Sequence, residues 1–251
     1  MIEFRHVTFA YDSAHPVLED ISFQIEEGES VGLIGANGAG KSTVMKLILG
    51  LLFPQSGEVL VNGIPVSKDT LADVRRTCGF VLQNSDNQMF MPTVKEDLLF
   101  GPVNYGLSRE EAEAKADAVL EQLQIEDLKE RYNHRLSGGE KRMAAIAAVL
   151  AMEPKAVLMD EPTSALDPYN RRQIIGVIKE MPVTRVITSH DLDMILDTCS
   201  RVLLIGNGKI QADGSADDIL RNKELLESSR LELPLCLQRW ECTAFSFACR
   251  I

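Results

Sequence analysis

Long apolar runs are missing from this chain of 251 residues: the longest lies between Arg142 and Glu153, far short of the roughly 20 residues needed to cross a bilayer. Any business with a membrane is therefore expected to go through a partner. Basic residues are in deficit, with 26 Lys and Arg against 37 Asp and Glu, a net charge of −11. Contacts to a nucleic-acid backbone need clustered Lys and Arg, so no nucleic-acid partner is expected. Cysteine is sparse, and Cys78, Cys199, Cys236, Cys242 and Cys249 show no C-x-x-C spacing. Reduced thiols in a cytosolic setting are the expectation, and the cysteines near the C-terminus match no zinc pattern. His6, His15, His134 and His190 form no ligand-spaced cluster. Met1-Ile-Glu-Phe-Arg5 is no basic signal-peptide region and reads as the start of a strand. With neither internal repeats nor low-complexity linkers, one large domain, or one with a subdomain, is expected.

What is present is a stretch that organises the rest, Gly35-Ala-Asn-Gly-Ala-Gly-Lys-Ser42. It fits the phosphate-cradling pattern G-x-x-x-x-G-K-[ST] between an apolar run, residues 30–34, and a helix-like segment. Gly35, Gly38 and Gly40 carry no Cβ, so the backbone, with Ala36, Asn37 and Ala39, can curl around a triphosphate and present N–H groups to its oxygens. The helix that begins near Thr43 adds the partial positive charge of its N-terminus. Lys41 is placed to reach the β- and γ-phosphates and Ser42 to hold Mg²⁺, so a nucleoside triphosphate with Mg²⁺ is the expected ligand pair.

Along the chain, residues 2–11 and 17–25 alternate apolar and polar, as paired strands joined around His15-Pro16 would. They begin an antiparallel β layer. Tyr11, at a strand end, could stack on a purine. Residues 56–63 read as a strand closed by an Asn-Gly turn, 71–76 as a short helix, and 79–82 as a buried strand ending at Gln83. Thr93 with Glu96 and Ser108 with Glu111 have capping-box spacing, so each opens a helix in a mainly helical insert. Ser137 and Glu140 share that spacing ahead of an alanine-rich helix, residues 141–152. Residues 156–161 and 185–190 are apolar runs ending in Asp160-Glu161 and in His190, as buried parallel strands look when they deliver polar groups to one edge. A helix follows each, at 168–181 and 191–199. A hairpin at 202–212 and a last helix capped by Ser215 complete the periodic part. The expectation is an α/β fold with a mixed, largely parallel sheet.

Taken in order, the phosphate loop, Gln83 at a strand end, Leu136-Ser-Gly-Gly-Glu140, Asp160-Glu161, Ser164-Ala-Leu-Asp167 and His190 resemble the nucleotide-binding subunit of ATP-binding-cassette (ABC) transporters. The resemblance implies a P-loop NTPase domain over residues 1–230, a helical subdomain at about 84–153 inserted after the Gln83 loop, and a tail, 231–251, of unassigned role. It implies that Tyr11 stacks on adenine, that Ser42, Gln83 and, through water, Asp160 arrange Mg²⁺, that Glu161 polarises the attacking water, and that His190 holds the γ-phosphate. Lys41 and Gln83 join Glu161 and His190 in the catalytic set. In this family Ser137 and Gly139 meet the γ-phosphate of the opposite subunit, so a homodimer or a heterodimer with a paralogue is implied, with Asp167 near the seam.

The segment from Gln83-Asn-Ser-Asp-Asn-Gln88 through Phe100-Gly-Pro-Val-Asn-Tyr-Gly-Leu107 is similar to the energy-coupling-factor ATPases of cobalt and nickel uptake systems, as is Arg230-Leu-Glu-Leu-Pro-Leu235. That similarity implies an integral membrane coupling subunit, a substrate-binding membrane component, and a peripheral position on the cytoplasmic face of the cell membrane. Met89, Phe90 and Met91 are candidates for an exposed contact to the membrane partner, with a buried anchor of the loop as the alternative. Met143 stands where a second Arg is common, and residues 238–251 match nothing in the subgroup.

Overall fold

The structure, a computed structural model, describes residues 1–12 and 15–238; Trp240, Cys242 and Cys249 lie outside them. In chain order the first half contains β1 (Ile2–Asp12), β2 (His15–Ile25), β3 (Ser30–Ile34), α1 (Lys41–Ile48), β4 (Ser56–Val61), β5 (Ile64–Pro65), α2 (Leu71–Thr77), β6 (Cys78–Val81), α3 (Val94–Asn104) and α4 (Arg109–Leu123). The second half contains α5 (Gly138–Leu150), β7 (Ala156–Asp160), α6 (Pro168–Glu180), β8 (Thr184–Thr188), α7 (Leu192–Thr198), β9 (Arg201–Gly206), β10 (Lys209–Ser215), α8 (Ala216–Arg221) and α9 (Lys223–Ser228).

Two sheets result. One is antiparallel in the order β2-β1-β4-β5, and the other runs β10-β9-β3-β8-β7-β6, with every pairing parallel except β10 with β9. The period of two along its strands sends alternate side chains to opposite faces. Val31 and Leu33 of β3, Leu158 of β7 and Val186 of β8 join α1 and the antiparallel layer in one core. Val157 and Met159 of β7, Ile187 of β8 and Val202 of β9 point the other way, into a core shared with α3 to α7. A parallel strand covered on both faces must be apolar throughout, which is why these runs do not alternate in sequence. Helices α3, α4 and α5 extend that second core rather than building a separate one.

The capping boxes at Thr93, Ser108 and Ser137 are all formed. Several boundaries differ from expectation. Helix α5 starts at Gly138 rather than at residue 141, because the Ser137 cap organises the glycines behind it. Strand β8 stops at Thr188, so Ser189 and His190 lie beyond it. Pro16 sits inside β2, opposite Ala10, so His15-Pro16 is strand rather than junction. Helix α9 follows the helix capped by Ser215, which was expected to be the last.

Of the two alternatives for this loop, Met89 takes the buried anchor, whereas Phe90 is exposed and packs edge-on against Phe100, their ring centroids 4.8 Å apart. The turn that inverts these neighbours is held by Asp97, a buried carboxylate on α3. Its Oδ1 accepts the N–H groups of Phe90 and Met91, each at 3.2 Å, and its Oδ2 accepts from the Asn133 amide. Burial pushes the Asp97 carboxyl above its ordinary value, against the pull of those hydrogen bonds. Asp97→Ala takes the acceptor from the Phe90 and Met91 N–H groups and one of two acceptors from the Asn133 amide, and is expected to destabilise the fold by about 3 kcal/mol. Urea unfolding of the variant against the parent measures the difference; a loss within error would show that water satisfies the loop.

Candidate nucleotide site

Strands β3, β8, β7 and β6 are consecutive neighbours and parallel, so the segments at and just after their C-terminal ends converge on one edge. Those segments are the phosphate loop, Ser189-His190, Asp160-Glu161 and Leu82-Gln83. A cleft of about 360 Å³ there is lined by Tyr11, Val17, residues 37–43, Gln83, Asp160, Glu161 and His190. The structure thus gathers Tyr11 and residues from four other parts of the chain that sequence reasoning selected separately.

The loop is built around Lys41. Its Nζ donates to the carbonyls of Gly35, at 2.7 Å, and Ala36, at 3.1 Å, and the Ala39 N–H closes a turn on the same Ala36 carbonyl at 3.1 Å. Gly35 has φ +152°, and a Cβ there would fall 2.3 Å from the Ile205 carbonyl oxygen, so backbone-to-backbone packing against β9 requires glycine. Burial holds the Lys41 ammonium below its usual value, opposed by the charges of Glu161 and Asp160. Desolvated, partly balanced and at a helix N-terminus, it is matched to an anion that would replace the carbonyl contacts.

Opposite the loop, the Asp160 carboxylate accepts from Thr188 Oγ1 at 2.6 Å and from Ser42 Oγ at 3.4 Å. Glu161 is buried and takes a left-handed backbone, φ +50°, which non-glycine residues adopt rarely and which is often retained at functional sites. Its N–H donates to the Thr188 carbonyl at 3.0 Å, and its Oε2 accepts from Ser189 Oγ at 3.3 Å and from the His190 N–H at 3.2 Å. The His190 ring stands over it with Nε2 3.6 Å from Oε1. A carboxylate held on one oxygen, with the other beside an imidazole at a cleft wall, can accept a proton from a water.

Ser42, Gln83 and Asp160 can each offer a side-chain oxygen, the donor type of a small hard cation, and Ser42 and Asp160 already lie within 3.4 Å of one another. These residues fit Mg²⁺, which would neutralise phosphate charge when bound. Tyr11 closes the cleft at the other end, its ring edge-on to Phe9 and its hydroxyl 3.4 Å from Thr43 Oγ1. At 60% exposure it leaves the ring available to a flat ligand.

Ser137 and Gly139 are not in this cleft. Ser137 is exposed at the start of α5, its Oγ accepting the Glu140 N–H at 3.3 Å while Glu140 returns a bond to the Ser137 N–H at 2.8 Å. Gly139 is buried against α6, where a Cβ would lie 2.2 Å from the Asn170 amide. Asn170 is itself bonded to Asp167, the cap of α6, and that bond helps hold the Asp167 carboxyl below the usual range. Gly139→Ala is therefore expected to break the Asn170–Asp167 contact and lower stability by about 1 kcal/mol. Thermal melting of the variant measures it, and an unchanged midpoint would mean that Asn170 moves freely aside.

Sequence reading missed the residues that hold the acids in place. Thr188 and Ser189 were visible as polar residues ending an apolar strand, but their partners lie on β7 and the loop after it. Arg171 binds Asp191 through two contacts, 2.5 and 2.8 Å, fixing the start of α7 just after His190; nothing in the spacing indicated that pair.

Comparison with known proteins agrees with this geometry. The family model described as ABC transporter matches residues 18–164. An ABC transporter ATP-binding protein of Geobacter sulfurreducens is 47% identical over 95% of this chain and 96% of its own. An energy-coupling factor transporter ATP-binding protein of Methanothermobacter thermautotrophicus is 41% identical over 93% of this chain and 77% of its own. Among solved structures, cbiO1 of Clostridium perfringens, part of the ABC transporter complex cbiONQ, superposes with a TM-score of 0.81 at 34% identity, covering 93% of this chain and 95% of that one. A dimeric ATP-binding cassette in a post-hydrolysis state, bound to ADP and Pi, gives 0.76 at 28% identity over 86% of this chain and 99% of that one. Phosphate loop, paired acids and histidine on one sheet edge, together with these relatives, show that this chain belongs to the ABC transporter family, as an ATP-binding subunit that couples ATP hydrolysis to transport.

Proposed function

We propose that the chain is the ATPase of an energy-coupling-factor importer, working as a pair of such subunits on the cytoplasmic face of the membrane, with cobalt or nickel ion as the cargo. The observation that carries the shared site is the separation between the cleft and Ser137. The cleft holds Lys41, Glu161 and His190 but nothing from residues 136–140, while Ser137 is exposed at the N-terminus of a helix of 13 residues, a place that favours phosphate. A second copy, or a paralogue, brings its Ser137 and Gly139 to the phosphates held here, and ATP is then a clamp as well as a fuel. On this reading Tyr11 stacks on adenine, residues 35–43 hold the phosphates, Ser42, Gln83 and Asp160 hold Mg²⁺, and Glu161 with His190 orients the water. Positioning and charge neutralisation suffice, because phosphoryl transfer asks for little covalent help.

The ATPase unit spans residues 1–230 with its helical subdomain at about 84–153, and residues 231–251 form a tail. Among the described residues no helix is long and apolar enough to cross a membrane; on this reading the partners are a membrane-spanning coupling subunit and a substrate-binding membrane component. Phe90, Phe100 and Val103 form an exposed apolar patch just after Gln83, suited to that coupling subunit. The choice of cargo rests on the resemblance of residues 83–107 to metal-uptake ATPases. Uptake of labelled Co²⁺, Ni²⁺ and a vitamin into cells with and without the chain tests it: metal uptake should depend on the chain, and dependence of the vitamin alone would overturn the assignment. If the chain never co-purifies with an integral membrane protein, the importer reading fails altogether.

A further inference from the structure

The run Gln83-Asn-Ser-Asp-Asn-Gln88 is bonded through Gln83, Asp86 and Gln88 to the helix that begins at the Ser-Gly-Gly motif. Asn84 Oδ1 accepts the Asp86 N–H at 2.9 Å and so shapes the turn, and Asp86 pairs with Lys141 of α5. The Gln88 amide faces both ways: its Oε1 accepts the Leu82 N–H at 2.9 Å and its Nε2 donates to the Ala145 carbonyl of α5, also at 2.9 Å. Arg142, only 4% exposed, completes the clamp. One guanidinium nitrogen donates to the Leu82 carbonyl at 2.5 Å and the other to the Gln83 carbonyl.

We propose that Arg142 is a positioning residue for Gln83: it fixes the backbone that aims the Gln83 side chain into the cleft, so the loop and α5 move as one unit. The proposal rests on the reading of Gln83 as a ligand of Mg²⁺. A planar fork suits two successive carbonyls, which a lysine ammonium cannot span in the same geometry. Arg142 lies about 7 Å along the helix axis from Ser137. A displacement of Ser137 when the opposite nucleotide arrives is thereby delivered to Gln83 of its own chain through a rigid helix and two hydrogen bonds. The two nucleotide sites of a dimer would be linked through each subunit's Arg142.

The test is a double-mutant cycle in the full chain with Arg142→Lys and Gln83→Ala, read by ATP turnover, by the Mg²⁺ concentration for half-maximal turnover, and by ATP affinity without Mg²⁺. Arg142→Lys should lower kcat about tenfold and raise the Mg²⁺ midpoint about fivefold, with metal-free ATP affinity held within about twofold. In the Gln83→Ala background it should change kcat by less than about twofold, because its route of action is already gone. Equal losses in both backgrounds would reduce Arg142 to a packing role, and parental turnover and midpoint in Arg142→Lys would remove it from the reaction. Parental behaviour of Gln83→Ala alone would instead sink the Mg²⁺ reading of Gln83. Gln88→Ala, which releases the same backbone from Ala145, runs the identical cycle with the same outcomes if Arg142→Lys does not fold.

Discussion

Glu161→Gln is expected to lower ATP turnover roughly a hundred- to ten-thousand-fold, the range contributed by a positioned proton acceptor, and to leave two chains locked around ATP. Gln has the shape of Glu, so its amide oxygen can still accept from Ser189 Oγ and the His190 N–H, as Glu161 Oε2 does. The left-handed backbone at this position is untouched, and the contacts of the cleft to a nucleotide remain. What disappears is the basic oxygen beside His190 Nε2. Binding and closure survive while the step that reopens the pair does not, so the dimer accumulates. Size-exclusion chromatography with saturating ATP and Mg²⁺ reads the assembly, and phosphate release reads the turnover. A variant that stays monomeric under those conditions would overturn the shared site, and one that hydrolyses at the parental rate would remove Glu161 from the chemistry.

Lys41→Ala should fail earlier, at the binding of the phosphates. Loss of one preorganised donor to developing charge is worth about a hundred- to a thousand-fold in rate, and Lys41 has a second role here. Its two bonds to Gly35 and Ala36 hold the shape of the loop, so truncation is expected to weaken ATP affinity as well. The contrast with Glu161→Gln is the diagnostic: one variant binds and cannot hydrolyse, the other loses affinity and turnover together, and no ATP-dependent dimer should form from it. Isothermal titration with ATP separates the two. Parental affinity and turnover in Lys41→Ala would exclude the loop from the reaction.

Most of the fold was legible because each element carries its own local signal. The three capping boxes, the alternating strands β1 and β2, and the apolar runs of β7 and β8 are interactions between residues a few positions apart, and all appear. Met89 and Phe90 show where that reasoning stops. Both are large and apolar in a polar loop, and only the Asp97 carboxylate, reaching from α3, decides that one turns inward and the other faces solvent. The start of α5 was misjudged for a related reason: two glycines are poor helix formers, but the Ser137 cap and the packing of Gly139 against Asn170 outweigh their propensity.

By itself the sequence determined the chemistry on offer: a glycine-rich loop ending in Lys41-Ser42, acids at Asp160 and Glu161, a histidine at 190 and a capped glycine pair at 138–139. These follow from residue types at short spacings, where backbone geometry leaves few alternatives. Only the tertiary structure decided which of them meet. The order β3-β8-β7-β6 brings loop, histidine and acids to one edge, although they lie far apart in the chain. The same topology leaves Ser137 outside the cleft, at the end of a helix whose Arg142 grips the backbone of Gln83. Strand order and helix packing are fixed by burial summed over two extended cores, and a sum of that kind has no local signature in the sequence.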